Sequence, residues 1–220
     1  MTSKRKKARE FARVFIERGD PIGWFEPLYA SAEGDANSIP WADLRPNPNL
    51  VEWLDSNRMD ASGKKALKIG CGLGDDAEEL ARRGFDVTAF DISPTAIEWC
   101  IARFPDSTVK YTTADLFDSP VGWDKYFDLV VEINTLQVLP FDLRPAAMDQ
   151  IARFAASGGT LIAICRGRDL MEDEGLMPWP LLADELAGFK NSGLKEVSFE
   201  DFLDRETPPA RRFRAVYRRT

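Results

Sequence analysis

The residues whose types and spacing could do chemistry begin with three glycines, Gly70, Gly72 and Gly74, in the run IGCGLGDD. Glycines let the backbone approach a bound group closely, and a helix that starts just after them presents free N–H groups and a positive dipole end. Asp91 follows about twenty residues later, where a carboxylate can hold the two hydroxyls of a ribose. The pattern predicts a nucleoside-cofactor site.

The glycine spacing and the charges beside it distinguish between cofactor classes. The dinucleotide fingerprint G-x-G-x-x-G places its third glycine one position later, next to a helix start that receives a pyrophosphate. Here Asp75 and Asp76 open the predicted helix, and two carboxylates would repel a pyrophosphate. They suit a cofactor that carries an ammonium and a sulfonium, which argues against NAD.

The chain contains no histidine, which excludes Ser-His-Asp and Cys-His catalysis and a histidine general base. Its three cysteines, Cys71, Cys100 and Cys165, are widely spaced, which favours reduced thiols in a cytoplasmic protein over disulfides or a metal site. No catalytic residue can be named from the sequence. Methyl transfer from a sulfonium is one of the few reactions that positioning alone can drive, so it stays open to such a chain.

The elements that must position these residues alternate between strand and helix, which is typical of a doubly wound α/β sheet. We expect one compact domain, with an N-terminal helix and a lid or substrate segment in residues 1–60 and a cofactor-binding domain in residues 61–220. Strands are predicted at 66–69, 85–90, 109–112, 126–133, 160–165, 194–199 and 213–217. Helices are predicted at 3–18, 50–56, 75–83, from Ser93 as N-cap onward, 140–154 and 181–192. The last two strands should form an antiparallel pair on a mainly parallel sheet.

Residues 68–74 resemble the first motif of the class I S-adenosylmethionine-dependent methyltransferases, which has the form acidic-x-G-x-G-x-G. The resemblance implies a seven-stranded Rossmann-like sheet and S-adenosyl-L-methionine as cofactor. Lys68 stands where the family has an acid, so Asp75, Asp76 or Glu132 would have to serve the amino-acid end of the cofactor. The resemblance implies cofactor contacts at Gly70, Gly72, Gly74 and Ile92. It further implies Asp91 for the ribose, Asp115 and Leu116 for the adenine, and Glu132 and Trp41 near the methionine. For Asp115 the alternative is an ordinary turn aspartate, and for Glu132 it is a salt-bridged strand end.

The run from Ile39 to Pro48 resembles the P-W-x(3,4)-P-x-P segment of the thiopurine methyltransferase-like branch, whose aromatic N-terminal segment closes over cofactor and acceptor. By this resemblance Trp41 would place an indole face next to the sulfonium. The alternative for the whole Pro- and Trp-rich stretch is a loop that wraps the core. The acceptor contacts suggested are Trp24, Tyr29, Arg166 and Trp179. Arg166 and Arg168 could instead be surface charge facing the acidic segment 172–174.

The branch resemblance implies methyl transfer to a small-molecule acceptor, with a thiol or another soft sulfur nucleophile preferred because a thiolate forms near neutral pH. The alternatives are O-methylation of a small carboxylate or hydroxyl compound and a non-catalytic protein that binds the cofactor. The net charge is −7 and both ends of the chain are basic. We read these ends as a solvated helix face and an edge strand protected by charge, and expect neither nucleic-acid nor membrane partners. A monomer or weak homodimer is expected.

Overall fold

The computed structural model describes residues 3–220, so Met1 and Thr2 of the predicted segment 1–60 lie outside the described residues. The helices are α1 (Ser3–Glu17), α2 (Phe25–Ala30), α3 (Pro48–Asn57), α4 (Asp75–Arg82), α5 (Pro94–Arg103), α6 (Arg144–Phe154) and α7 (Ala183–Leu186). The strands are β1 (Lys65–Ile69), β2 (Asp86–Asp91), β3 (Lys110–Thr113), β4 (Phe127–Ile133), β5 (Ala155–Arg166), β6 (Leu194–Leu203) and β7 (Arg211–Arg219).

The seven strands form one sheet in the order β3-β2-β1-β4-β5-β7-β6. The first five run parallel, and β7 pairs antiparallel with both β5 and β6. This confirms the predicted doubly wound sheet with an antiparallel pair. Because β1 lies between β2 and β4, the glycines after β1, Asp91 at the end of β2 and Glu132 near the end of β4 meet at one edge.

Apolar side chains cover both faces of the sheet, as expected for parallel strands buried under helices. One core cluster contains α6 residues such as Met148 and Ile151, and the other contains α4 and α5 residues such as Leu80 and Ile97. The predicted N-cap of α5 is confirmed, because the Ser93 hydroxyl accepts the Ala96 N–H at 3.1 Å. The helices thereby fix the loops that follow β1 and β2.

A third apolar cluster joins α1, α2 and the following loop to the carboxyl edge of the sheet, including Leu73 of the glycine run and Ala96 of α5. The short helix α2 was not expected from the sequence. Its six residues include Pro27, and it is held by burial of Leu28 and Tyr29 rather than by helix propensity. The N-terminal segment therefore both packs on the core and lies over the site edge.

The prediction that the arginine-rich C-terminal strand is an edge strand is wrong. β7 lies inside the sheet because β6 pairs along its outer side. Arg212 and Arg214 are buried, and their guanidinium groups pair with Asp204 at 2.6 Å and Glu200 at 2.6 Å. The basic residues of this strand thus neutralise acids on and just after β6.

The other differences are in element lengths. The helix expected at 140–154 starts at Arg144, after a 3-10 turn at Phe141–Leu143. The helix expected at 181–192 is only α7 followed by a 3-10 turn at Ala187–Lys190, which contains the weak helix former Gly188. β5 starts at Ala155, before the predicted glycine turn. None of the helices within residues 3–220 is long and apolar enough to cross a membrane.

Candidate active site

The glycine turn, residues 70–74, has a backbone that only glycine accommodates easily. Gly70 and Gly74 have φ angles of 54° and 91°. A Cβ at Gly70 would lie 2.8 Å from the Thr135 hydroxyl oxygen, and one at Gly74 would lie 2.5 Å from the Tyr111 hydroxyl oxygen. The turn is closed by a hydrogen bond from the Gly74 N–H to the Cys71 carbonyl at 3.0 Å, and α4 starts directly after it. The predicted strand–turn–helix unit is therefore present.

Asp91 lies beside this turn. Its carboxylate accepts the N–H of Gly72 at 2.9 Å and that of Ser93 at 3.1 Å. Burial raises the pKa of Asp91, while these N–H groups and the Lys68 ammonium act in the opposite direction. Asp91 thus braces the glycine turn, a role that the sequence did not indicate, and the free lone pairs of its oxygens can still accept hydroxyl donors.

Asp115 and Leu116 follow β3, next to the end of β2. The Ala114 N–H donates to the Asp91 carbonyl at 3.0 Å, which joins the two strand ends. The Asp115 carboxylate accepts the Phe117 N–H at 2.8 Å, and Leu116 is buried in the core cluster that contains Phe90. Ile92 lies half-buried between Asp91 and α5. All four predicted ribose and adenine contacts are neighbours in space, and their roles stay predictions.

An aromatic cap, made of Trp24, Phe25, Tyr29 and Trp41, covers the glycine turn. The Trp41 indole N–H donates to the Tyr29 hydroxyl at 2.8 Å. A Cβ at Gly72 would lie 3.4 Å from that hydroxyl and 3.9 Å from the Trp41 ring. Trp41 and Tyr29 therefore lie against the central glycine, and their predicted contacts with the cofactor and the acceptor stay predictions.

The suggested acceptor contact through Trp24 is not supported by its position. Its side chain is fully buried, stacks on Phe25 with ring centroids 3.9 Å apart, and donates its N–H to the Pro21 carbonyl. Trp24 is an anchor of the cap because its whole surface is used in packing.

Glu26 fastens the aromatic cap to α5 and was missed by the sequence reasoning. Its carboxylate accepts hydrogen bonds from the hydroxyls of Ser93 and Thr95, both at 2.6 Å. Burial alone would raise the pKa of Glu26, but these hydrogen bonds outweigh it, so the pKa lies below its usual value. Glu26 is one helical turn before Tyr29, so this contact positions Tyr29 over Gly72. A glutamate in the first turn of a short helix carries no sequence signal for such a role.

Both aspartates at the start of α4 have cationic partners. The Asp75 carboxylate pairs with Arg103 at 2.9 Å. Asp76 accepts the Asn47 N–H at 2.7 Å and has its other oxygen 3.8 Å from the Lys68 ammonium. Burial raises the pKa of Asp76 and the Lys68 charge opposes that rise. Asp75 and Asp76, the two alternatives to Glu132 for the amino-acid end of the cofactor, therefore each already face a cation of the chain.

Lys68, the residue that departs from the family motif, is 2% exposed. Its ammonium donates to the carbonyls of Ile69 at 2.8 Å and Gly70 at 3.4 Å. A buried ammonium requires such partners. Together with Asp76 they account for the presence of a lysine beneath the glycine turn.

Glu132 is fully buried near the end of β4. One carboxylate oxygen, Oε1, accepts the N–H groups of Thr135 at 2.6 Å and Leu136 at 3.1 Å, while Oε2 has no hydrogen-bond partner. Burial raises the pKa of Glu132 to about 7, against the lowering by these N–H groups and by Lys68. Within residues 3–220 no ion pair involves Glu132, so the salt-bridged alternative is not what the structure has.

The two arginines after β5 differ. Arg168 donates to the carbonyls of Pro180 and Glu172 and, at 3.2 Å, to the Glu174 carboxylate. It thus faces the acidic segment, as the alternative expected, but it is buried and is not a surface charge. Arg166 is partly exposed and lies 3.9 Å from Glu206. Burial, together with Arg212 and Arg5, lowers the pKa of Arg166.

Trp179 lies at the side of the aromatic cap and packs on the same apolar cluster as Trp41. Its backbone N–H donates to the Gln137 carbonyl at 2.7 Å, which holds it next to the turn after β4. Trp41 and Trp179 are half-buried and pack against the same apolar cluster, whereas Tyr29, at 1% exposed, is as buried as Trp24.

The sheet order, the glycine turn and the acids after neighbouring strands define a class I methyltransferase fold. Residues 66–159 match the family model described as a methyltransferase domain. This match covers less than half of the chain, and it shows that residues 66–159 are similar to a methyltransferase domain.

The curated relatives of the chain include three O-methyltransferases. The magnesium-protoporphyrin O-methyltransferase of Rhodobacter capsulatus is 39% identical over 80 residues, 35% of this chain and 34% of that protein. The fatty-acid O-methyltransferase of Mycolicibacterium smegmatis is 32% identical over 105 residues, 46% and 37% of the two chains. A ubiquinone biosynthesis O-methyltransferase of Pseudomonas syringae is 32% identical over 96 residues, 43% and 41% of the two chains. The chain spans well under half the length of each of these relatives.

Solved structures share the fold over most of the chain. One, described with the conversion of a disulfide bond into a thioacetal group during echinomycin biosynthesis, has a TM-score of 0.72 at 23% identity and covers 88% of this chain and 91% of its own. The N-methyltransferase NodS from Bradyrhizobium japonicum, in complex with S-adenosyl-L-homocysteine, has a TM-score of 0.66 at 22% identity, covering 87% and 98%. At such identities the likeness concerns the fold alone.

Proposed function

We propose that this protein transfers a methyl group from S-adenosyl-L-methionine to a small-molecule acceptor. The observation that carries the proposal is the glycine turn, whose central residue Gly72 lies between the Asp91 carboxylate and the aromatic cap. A turn with three glycines, an acid for a diol and an aromatic face for a cation are the three features that such a cofactor requires. The methyltransferase names of the relatives support the same reaction class.

The residues that would hold the cofactor follow the strand ends. Gly70, Gly72 and Gly74 would give backbone access, Asp91 with Ile92 would hold the ribose, and Asp115 with Leu116 would hold the adenine. Trp41 and Glu132 would lie at the methionine end. The fit is supported by the buried oxygen Oε2 of Glu132, which accepts no hydrogen bond from the described residues.

The cofactor would supply an activated methyl group on a sulfonium, and the chain would supply position. Tyr29, Trp41 and Trp179 would exclude water and align the acceptor behind the methyl group. With no histidine in the sequence, the acceptor must be nucleophilic by itself or lose its proton to a carboxylate, Tyr, Lys or Cys side chain or to solvent.

A thiol or another soft sulfur nucleophile is the acceptor that we propose first, because a thiolate forms near neutral pH without a strong base. The run from Ile39 to Pro48 supports the thiopurine methyltransferase-like branch: its Trp41 lies on the glycine turn, and the nearby Asn47 N–H binds Asp76.

O-methylation of a small carboxylate or hydroxyl compound is the second candidate. It is favoured by the three curated relatives described above, which are O-methyltransferases. Arg166 is partly exposed beside the site edge and is the residue that would bind an anionic acceptor. Arg168 is already used by the loop after it.

The test is a panel assay with methyl-labelled S-adenosyl-L-methionine and thiols, phenols, carboxylates and halides as acceptors. We expect label to move to a thiol in the wild-type protein and much less in Asp91→Asn. Transfer to phenols or carboxylates alone would favour the second candidate. Cofactor binding without transfer to any class would favour a non-catalytic protein.

A further inference from the structure

Two buried acceptors at the end of β4 have no hydrogen-bond partner. They are Glu132 Oε2 and Asn134 Oδ1, and within residues 3–220 no other buried side-chain nitrogen or oxygen lacks one. Buried polar groups are nearly always paired, so two unpaired acceptors within three residues need an explanation. Both lie at the sheet edge that carries the glycine turn.

The surroundings connect these atoms to the proposed cofactor site. Glu132 Oε1 binds the N–H of Thr135 at 2.6 Å, and the Thr135 hydroxyl oxygen lies 2.8 Å from the position of a Cβ at Gly70. Asn134 has a φ of 64°, an uncommon conformation that is held by its N–H bond to the Ile164 carbonyl. A hydrogen bond to β5 therefore holds the backbone just after β4 in this conformation.

The number of acceptors indicates the donor. A hydroxyl has one hydrogen and could satisfy only one of the two atoms, whereas an ammonium has three. The nearby Lys68 does not fill this place, because its ammonium is held by the carbonyls of Ile69 and Gly70 and faces Asp76. A primary ammonium group that comes with a ligand would supply a donor to each of the two acceptors.

We propose that Glu132 and Asn134 receive the α-ammonium group of the cofactor, and that its binding releases a proton from Glu132. This rests on the proposed function and adds to it a role for Asn134 and a coupling between cofactor binding and pH. Glu132 is here a binding residue and takes no part in methyl transfer itself.

The proton release follows from the groups that face Glu132. Lys68 on β1 contributes a positive charge, and the N–H groups of the turn after β4 bind Oε1, but burial raises the pKa of Glu132 to about 7. On β5 the facing titratable group is the buried Cys165 thiol, whose pKa is raised by burial and by Glu132. A cation placed against Oε2 favours the ionised carboxylate. Affinity should therefore rise as the pH rises through 7 and level off above it.

The experiment is titration calorimetry of the wild-type protein with S-adenosyl-L-homocysteine, in two buffers of different ionisation enthalpy. If only the ionised form of Glu132 binds, affinity should increase about tenfold between about pH 6 and about pH 8, with close to one proton released at the lower pH. The matched probe is 5′-methylthioadenosine, which keeps the nucleoside and lacks the amino-acid part. Its affinity should not change over this range.

Two variants complete the test. Glu132→Gln keeps an oxygen for the Thr135 and Leu136 N–H groups, should abolish the pH dependence and should still bind 5′-methylthioadenosine. Lys68→Met removes a charge that lowers the pKa of Glu132, so its affinity curve should shift to higher pH. Binding of the homocysteine compound that is independent of pH, or a pH dependence that survives in Glu132→Gln, would overturn the proposal. If neither nucleoside binds the wild-type protein, the proposed function itself fails.

Discussion

Replacement of Asp91 gives the sharpest test of a single site residue. Its carboxylate accepts two backbone N–H groups, from Gly72 and Ser93, and is 7% exposed. Asp91→Asn keeps the shape and one acceptor oxygen but turns an NH₂ group toward one of these donors. Leaving ligand hydroxyls or a backbone N–H unpaired costs about 1–3 kcal/mol each. We therefore expect cofactor affinity to fall by about 1–3 kcal/mol, or about 5- to 160-fold in Kd.

The assay must separate this loss from a change in folding. Calorimetry with S-adenosyl-L-homocysteine gives the affinity, and urea unfolding of the same samples gives the free energy of unfolding. The matched control is Asp86→Asn, which changes the same residue type at the other end of β2, where the exposed carboxylate pairs with Lys110 at 2.7 Å. Its effect on affinity should stay within about 0.5 kcal/mol. An unchanged Kd in folded Asp91→Asn, or an equal loss in Asp86→Asn, would refute the reasoning.

Three further predictions concern the turn, the cap and the buried acid. Gly74→Ala should lower the free energy of unfolding, measured with urea, by about 1–3 kcal/mol, because the added Cβ would meet the Tyr111 hydroxyl. Adding Tyr111→Phe should restore part of the lost stability. A double variant no more stable than Gly74→Ala would count against this contact. Glu26→Gln should weaken the attachment of the aromatic cap to α5, so that a protease cleaves residues 20–45 faster than in wild type. Cleavage at the wild-type rate would mean that other contacts hold the cap. Glu132→Gln should have a larger free energy of unfolding than wild type above pH 7. The pKa of Glu132 is about 7 in the folded protein and about 4.5 when unfolded, so wild type loses up to about 3 kcal/mol of stability as the pH rises from the lower value to the higher. Equal free energies of unfolding at pH 8 would contradict this prediction.

The local parts of the site could be predicted from the sequence. The glycine turn, the α5 cap at Ser93 and the position of Asp91 depend on residues close together in the chain, and their φ angles and hydrogen bonds agree with the expectation. The seven-stranded, mainly parallel sheet with an antiparallel pair followed from the family resemblance and is confirmed, whereas the position of β7 within it was not predicted.

The parts that the sequence did not predict depend on partners distant in the chain. Asp75 meets Arg103 across 28 positions, and Glu26 meets Ser93 across 67. Neither partner is marked by spacing or composition. Trp24 illustrates the same limit, because a tryptophan in a loop has the same sequence pattern whether it is a buried anchor or a ligand contact.

The placement of β7 was mispredicted for a related reason. A strand rich in arginine resembles a protected edge when its neighbours are unknown. Here β6 supplies Glu200 and the residues after it supply Asp204, so that two arginines are neutralised inside the sheet. Pairing between strands decides which charges are exposed, and a single sequence does not display that pairing.

The most direct test of the central claim is calorimetric titration of the wild-type protein with S-adenosyl-L-homocysteine and, separately, with NAD. The three-glycine turn next to Asp91, with its aromatic cap, predicts one molecule of the homocysteine compound bound per chain and no binding of NAD. Binding of NAD alone, or of neither compound, would contradict the account.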